Sequence, residues 1–233
     1  MLRLDKFITD CHAGSRSEAK SFIKKGFVTV DGVVIKEPEF KVSEKNQVCL
    51  NGNRLFYEEF VYYMLYKPAG FLSATEDAKQ KTVMDLFRKN EIRNLFPVGR
   101  LDKDTEGLLI ITNDGILAHQ LTSPRYAVKK TYDAVLKNSL SDGAVLQLEQ
   151  GVDIGEKRKT LPAEIQRIAE NEVYITITEG KFHQVKRMFA AVGNEVLYLK
   201  RISMGSLRLD QSLEKGCYRK LTPEEVKILK NCK

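Results

Sequence analysis

Gly99-Arg100-Leu101-Asp102-Lys103-Asp104-Thr105-Glu106-Gly107-Leu108-Leu109 is the densest run of unusual residues in the chain. Its charged side chains are bounded by a glycine at each end. It leads straight into Leu108 to Thr112, an apolar, β-rich stretch that reads as a buried strand. Charged runs before strands are commonly solvated loops, but Pro97, Val98 and Leu101 flank Asp102 and predict its partial burial. A carboxylate beside Arg100 can stay ionised in such a place. An ionised, partly desolvated Asp next to a fixed cation can act as nucleophile or general base.

Outward from this run the chain alternates strand-like and helix-like pieces. Upstream, Tyr62 to Tyr66 reads as a strand and Lys67-Pro68-Ala69-Gly70 as a turn. Downstream, Gly115 to Ser123, Ser141 to Gln150, His183 to Val192 and the segment opened by Thr222-Pro223 read as helices. Thr131 to Leu136, Ala163 to Ile168, Glu172 to Thr178 and Val196 to Ile202 read as strands. Many strands with a few helices and no regular βαβ rhythm predict an α+β domain on a mixed, largely antiparallel sheet over residues 61–233.

The first 53 residues form a different pattern. Arg3 to Cys11 carries Leu4, Phe7 and Ile8 at helical spacing, and Ser15-Arg16-Ser17-Glu18 is a capping box opening a second helix that Gly26 stops. Phe27 to Ile35, with Asp31-Gly32 at its centre, reads as a hairpin, and Gln47 to Leu50 as a further strand. On the second helix Ala19, Phe22 and Ile23 share one side, while Arg16, Lys20, Lys24 and Lys25 spread over the other. A one-signed helical face is the footprint of phosphate binding, and Arg3 and Lys6 on the preceding helix extend it. Residues 54–60, polar and aromatic mixed, read as a linker.

Composition sets the class. The 233 residues are 42% hydrophobic, enough for a core, and carry a net charge of +7. No run approaches the ~18 consecutive apolar residues of a membrane span, and the start lacks the apolar stretch of a signal peptide, so a cytoplasmic protein is expected, with no membrane partner. Cys11, Cys49, Cys217 and Cys232 are scattered, and His12, His119 and His183 do not cluster with them, so free thiols and no metal are expected. There is no phosphate loop or dinucleotide motif. Nothing demands more than a monomer.

Residues 2–50, through Arg3-Leu4-Asp5-Lys6, Ser15-Arg16-Ser17-Glu18-Ala19 and Gly26-Phe27-Val28-Thr29-Val30-Asp31-Gly32, resemble the S4 RNA-binding domain. The resemblance implies docking of structured RNA through the basic second helix. Gly99-Arg100-Leu101-Asp102-x-x-Thr105-x-Gly107-Leu108-Leu109 resembles the active-site motif of the RsuA and RluA groups of pseudouridine synthases. It implies Asp102 as the essential catalytic residue and Arg100 as a support for the flipped-out uridine, with no catalytic role for Asp104 or Glu106.

Lys130-Thr131-Tyr132 resembles the family's second motif, which implies that Tyr132 stacks on the target base. Glu179-Gly180-Lys181-Phe182-His183-Gln184-Val185-Lys186-Arg187-Met188 resembles the third. Lys186 then stands where the basic partner of the catalytic Asp belongs, with Arg187 as its fallback and His183 as an RNA-facing residue. A lysine at this position in place of arginine exchanges a bidentate partner for a point charge and points to the RsuA branch. An apolar residue near Leu197 to Leu199 is expected to back the base.

The implied activity is isomerisation, without a cofactor, of one uridine in 16S ribosomal RNA, within a partly assembled small subunit. Attack of Asp102 on C1′ and proton removal from C2′ both remain open. So do naked RNA in place of a partly assembled subunit as the substrate, a large-subunit target, and a non-catalytic role in ribosome assembly.

Overall fold

The computed structural model describes residues 1–11, 13–43, 45–88 and 94–232. The chain divides into two compact units, Met1–Val61 and Tyr62–Lys233.

In the first unit, β1 (Leu2–Arg3) runs into α1 (Leu4–Asp10), followed by α2 (Arg16–Lys24), β2 (Val28–Val30), β3 (Val33–Val34), β4 (Lys41–Val42), β5 (Val48–Leu50) and β6 (Asn53–Arg54). The capping box forms as the sequence predicts: Ser15 accepts from the Glu18 backbone N–H, and the Glu18 carboxylate accepts from that of Ser15. Leu4, Phe7 and Ile8 of α1 meet Ala19 and Ile23 of α2 over Val28, Val30 and Val48, all buried. The hairpin belongs to a four-stranded sheet in the order β3-β2-β5-β6. The stretch read as a linker contributes to this unit. Asn53–Arg54 pairs with β5, and Tyr57 stacks on Phe7 with ring centroids 5.2 Å apart. Its aromatic residues supply packing surface that a polar tally does not reveal.

The second unit contains β7 (Tyr62–Lys67), β8 (Phe96–Pro97), β9 (Glu106–Thr112), α3 (Gly115–Thr122), β10 (Lys130–Leu136), α4 (Asp142–Gln150), β11 (Glu164–Ala169), β12 (Glu172–Ile177), α5 (Gln184–Ala191), β13 (Val196–Met204), β14 (Leu207–Arg208), β15 (Tyr218–Lys220) and α6 (Pro223–Lys230). The main sheet runs β11-β12-β10-β13-β9-β7-β15, with β14 on β13 and β8 on β9. It is antiparallel throughout except at β13–β9, where Lys200 and Arg201 pair in parallel with Glu106 and Gly107. The fold is thus α+β on a mixed, largely antiparallel sheet.

That parallel seam is short, and it explains a glycine. Gly107 has φ +107°, and a Cβ there would collide with the backbone of Arg201. The strands approach this closely only because residue 107 has no side chain. β9 is buried along its whole length, and its residues Leu108 and Ile110 pack with Met64 of β7, Leu117 and Leu121 of α3 and Leu229 of α6. The loop before β9 is therefore anchored to a rigid strand at the join of the two halves of the sheet.

Among the described residues no helix is long and apolar enough to cross a membrane, and no group of three His, Cys, Asp or Glu side chains could hold a metal. His12 lies outside the described residues.

Candidate active site

Asp102 sits on the loop before β9, and its backbone is fixed from below. The Lys67 ammonium, at the end of β7, donates to the carbonyls of Pro68 (3.1 Å), Asp102 (3.0 Å), Lys103 (3.2 Å) and Thr105 (2.8 Å). Lys67 is fully buried. It is the last residue of a strand, where the sequence reads a turn beginning at Lys67. Burial lowers its pKa to about 8 against the opposing pull of Asp104, Asp102 and Glu106. Ser73 adds a second clamp: its hydroxyl donates to the Leu101 carbonyl and accepts from the Leu101 N–H, both at 3.0 Å. The carboxylate is thus presented from a loop whose carbonyls wrap one cation, a preorganised arrangement.

The side chain of Asp102 is 23% exposed, the partial burial predicted from its neighbours. Two basic groups face it: Lys186 Nζ at 3.7 Å from Oδ2 and His183 Nε2 at 3.6 Å from Oδ1. The expected Lys186 partnership is present, but it is shared. Lys186 makes its shorter contact, 2.5 Å, with Asp104 Oδ1, and that hydrogen bond is the main reason the Asp104 carboxyl lies below its ordinary pKa. Asp104 therefore co-orients the lysine, although the sequence assigned it no role. Glu106 is turned elsewhere, accepting from Tyr198 Oη and pairing with Lys215, both at 2.7 Å.

Other expectations change. Arg100, read as the cation beside Asp102, is exposed and lines the mouth of the cleft, and no ion pair joins the two among the described residues. Arg187, the fallback partner of Asp102 and a candidate for RNA contact, pairs with Glu156 (2.9 Å) and donates to the carbonyls of Phe182 (3.0 Å) and Ile154. It ties the start of α5 to the preceding loop. The helical period places residues 186 and 187 on different sides of α5, so one can reach the cleft while the other cannot.

His183 caps α5 in the left-handed region, φ 47°, and its ring stacks on the exposed Phe182 at 3.8 Å. The turn before it is held by buried Gln184, whose side chain accepts from the Lys181 N–H (2.8 Å) and donates to Glu179 (2.9 Å). Glu179 also accepts from the Leu161 N–H (2.8 Å). In the third motif, then, the Glu and Gln build the turn, and the His and Lys it aims reach Asp102.

A cleft of about 600 Å³ opens in front of Asp102, within the range of small-molecule sites. Its floor comes from strand alternation. Lys130 and Tyr132 of β10 point to the same face, Tyr132 lies opposite Arg201 of β13, and Lys130 lies opposite Met204 and Ile177. Tyr132 is 8% exposed and Leu199 5%, and both line the cleft, whereas Leu197 is 62% exposed. Of the apolar candidates Leu197 to Leu199, Leu199 is the one that faces the site. The reverse face of these strands bears a larger hollow, about 960 Å³, that includes Asp133 and Lys200 but lacks Asp102, Tyr132 and Lys186.

In the first unit, Arg16, Lys20, Lys24 and Lys25 are exposed on α2, and none is within 4.0 Å of an acid among the described residues. Arg3 and Lys6 differ. Arg3 makes a two-pronged pair with Asp5 (3.0 and 2.9 Å) and lies 3.7 Å from Glu39, and Lys6 is 4.0 Å from Asp10. These neighbouring acids reduce what either can offer to phosphate.

Comparison with known proteins fits this geometry. Residues 61–191 match the RNA pseudouridylate synthase family, and residues 2–54 match the S4 domain. The chain is 44% identical over 226 residues to the ribosomal small subunit pseudouridine synthase A of Vibrio cholerae, covering 97% of this chain and 98% of that one. It is 41% identical over 236 residues to the ribosomal large subunit pseudouridine synthase B of Bacillus subtilis, covering 99% and 96%. A crystal structure described as a pseudouridylate synthase matches with a TM-score of 0.71 at 37% identity, over 98% of this chain and 100% of that one.

Proposed function

The chain belongs to the RNA pseudouridylate synthase family, and from that premise we propose that it converts one uridine of small-subunit ribosomal RNA to pseudouridine in the cleft in front of Asp102. The observation that carries this reading is the carboxylate itself. It is partly buried, faced by Lys186 and His183, and held on a loop locked by Lys67 and Ser73 beside the Tyr132 wall.

The target base must leave its stack to reach that cleft. Arg100 at the mouth supports the displaced nucleotide, Tyr132 gives the uracil a stacking platform worth ~1–3 kcal/mol, and Leu199 backs the base. Asp102 then acts on the sugar, at C1′ or on the C2′ proton. Either route breaks the N1–C1′ bond, after which the base turns and rejoins through C5. Lys186, steadied by Asp104, lies 3.7 Å from the carboxylate and orients it, and His183 Nε2, 3.6 Å from the other carboxylate oxygen, faces incoming RNA. No group donor or redox change is required.

The exposed face of α2 supplies salt-dependent affinity for RNA phosphates. We place the protein in the cytoplasm as a monomer acting on 16S RNA in a partly assembled small subunit. Support for the small-subunit target comes from Lys186 in the third motif and from the identity to the Vibrio cholerae enzyme. The Bacillus subtilis relative keeps a large-subunit target as the second reading.

The test is release of the C5 hydrogen from C5-labelled small- and large-subunit transcripts, with and without ribosomal proteins, followed by chemical mapping of pseudouridine. Release from one small-subunit position is expected. Release confined to large-subunit RNA would establish the second reading, and binding without release from any substrate would overturn the proposal.

A further inference from the structure

The floor of the cleft carries positive charge that the reading above does not use. Lys130 is 7% exposed and Arg201 2% exposed. Among the described residues Lys130 Nζ has one hydrogen bond, to the Val128 carbonyl at 2.9 Å. Arg201 Nε donates to the Leu108 carbonyl at 2.8 Å, while its Nη2 is buried without a partner among the described residues. Neither side chain has a carboxylate within 4.0 Å among the described residues, and each is the other's like-charged neighbour. Lys67 differs, because it spends its donors on four carbonyls and feels three acids.

Burying two cations side by side with no counter-ion is costly, and an unpartnered guanidinium N–H adds to that cost. A fold retains such an arrangement where an anion arrives. Its position says which one. Tyr132, Ile177, Leu199 and Met204 surround the pair, so this end of the cleft receives the flat apolar base, and the phosphates lie towards the exposed mouth at Arg100.

We propose that Lys130 and Arg201 form an oxyanion site for the detached uracil. When the N1–C1′ bond breaks, its electron pair leaves with the base, and the negative charge spreads from N1 onto the carbonyl oxygens. Two fixed cations facing those oxygens stabilise the charge as it develops, and they hold the free base while it turns. The new C5–C1′ bond then forms as the Asp102 carboxylate leaves C1′ or returns its proton to C2′, the C5 proton is lost to solvent, N1 gains a proton, and the uracil is neutral again. The site acts whichever way Asp102 engages the sugar, because both routes release the same anion. Burial, reinforced by Arg201, lowers the pKa of Lys130 to about 8, which leaves it mostly protonated near neutral pH. The inference rests on the cleft being the uridine site.

The test is Lys130→Met, which keeps the length of the side chain and removes its charge. Three quantities are measured on a transcript that the wild-type protein converts: the single-turnover rate at saturating RNA, the dissociation constant across salt, and the melting temperature. The expected result is a rate about 100-fold lower, a dissociation constant within about 2-fold, and a melting temperature equal to or above wild type, because a buried unpaired charge has been removed. A rate within about 3-fold of wild type overturns the proposal. A weakened, less salt-dependent affinity with an unchanged rate also overturns it, and would make Lys130 a phosphate contact. A lower melting temperature with a proportionate loss of rate assigns the lysine to the fold instead. Arg201→Lys, which keeps the charge, is expected to retain most of the rate that Arg201→Met loses. A wild-type protein with no turnover on any RNA sinks the functional reading itself, separately from the behaviour of these variants.

Discussion

The two units use their cations in opposite ways. In the first, Arg16, Lys20 and Lys24 stand in solvent on one face of α2, with Lys25 exposed at its C-terminal cap, and the helix is stabilised by its apolar face and by the Ser15–Glu18 cap. In the second, Lys67, Lys130 and Arg201 are buried against a sheet that would be easier to form without bare charge. Exposed cations can be exchanged at small cost to folding, and they act at long range through salt-sensitive attraction. Buried ones act over a few ångströms at full strength and burden the fold. The proposed RNA capture and uridine chemistry ask for these two different kinds of positive charge.

Lys67 is where the contrast is sharpest, since it is the buried cation with the most hydrogen bonds. Lys67→Met strands carbonyls of Pro68, Asp102, Lys103 and Thr105 and should cost about 3 kcal/mol, together with most of the activity, because the loop bearing Asp102 loses its anchor. Urea denaturation measures this directly. A change under 1 kcal/mol would mean that the loop is held by Ser73 and β9 alone.

Alkaline pH should separate the units. In the second, the pKa values of Lys67 and Lys130 are lowered to about 8 from an ordinary 10.5. Between pH 8 and 10 the unfolded chain therefore binds more protons at these lysines than the folded one, and folding becomes more favourable as pH rises. The gain is on the order of 1–2 kcal/mol per lysine. The window closes near pH 10, where burial of the Tyr198 hydroxyl, whose pKa is raised, begins to act in the opposite direction. In the first unit, burial pushes the Cys11 thiol up to about 12. There the folded state keeps a proton that the unfolded chain loses, and stability falls above about pH 9. Hydrogen exchange of peptides from each unit, corrected for intrinsic rates, should show the two trends diverging. Parallel trends would contradict these ionisation states.

The mildest effect belongs to the surface. Neutralising Arg16, Lys20 and Lys24 together should weaken RNA binding about 10-fold and reduce the slope of log affinity against log salt by about 2. Lys130→Met should leave that slope unchanged. An equal loss of slope in both variants would erase the distinction between the two classes of cation.

Much of this was legible in the sequence, for identifiable reasons. Helix caps, hairpin turns and apolar periodicity are local, so α2, α4, α5 and the strands around Asp102 could be read from their own residues. The Asp102 loop, Tyr132 and Lys186 sit in dense motifs. What escaped depends on residues far apart in the chain. Lys67 resembles an ordinary turn lysine until β7 and the 102–105 loop are brought together. Arg201 gains meaning only at the seam with Gly107, and Asp104 only when α5 delivers Lys186 to it. Arg187 adjoins Lys186 in sequence, but one step along a helix turns a side chain by roughly 100° and carries it away from the cleft.

We propose that Asp102 performs the chemistry on a scaffold that binds RNA without it. Asp102→Asn keeps the size of the side chain and removes its charge, so the protein should melt within about 2 °C of wild type and bind ribosomal RNA within about 2-fold, because the change lies outside the core and most of the RNA affinity comes from phosphate contacts elsewhere. C5-hydrogen release should fall below detection. An Asn variant that still makes pseudouridine at a measurable rate would contradict the assignment.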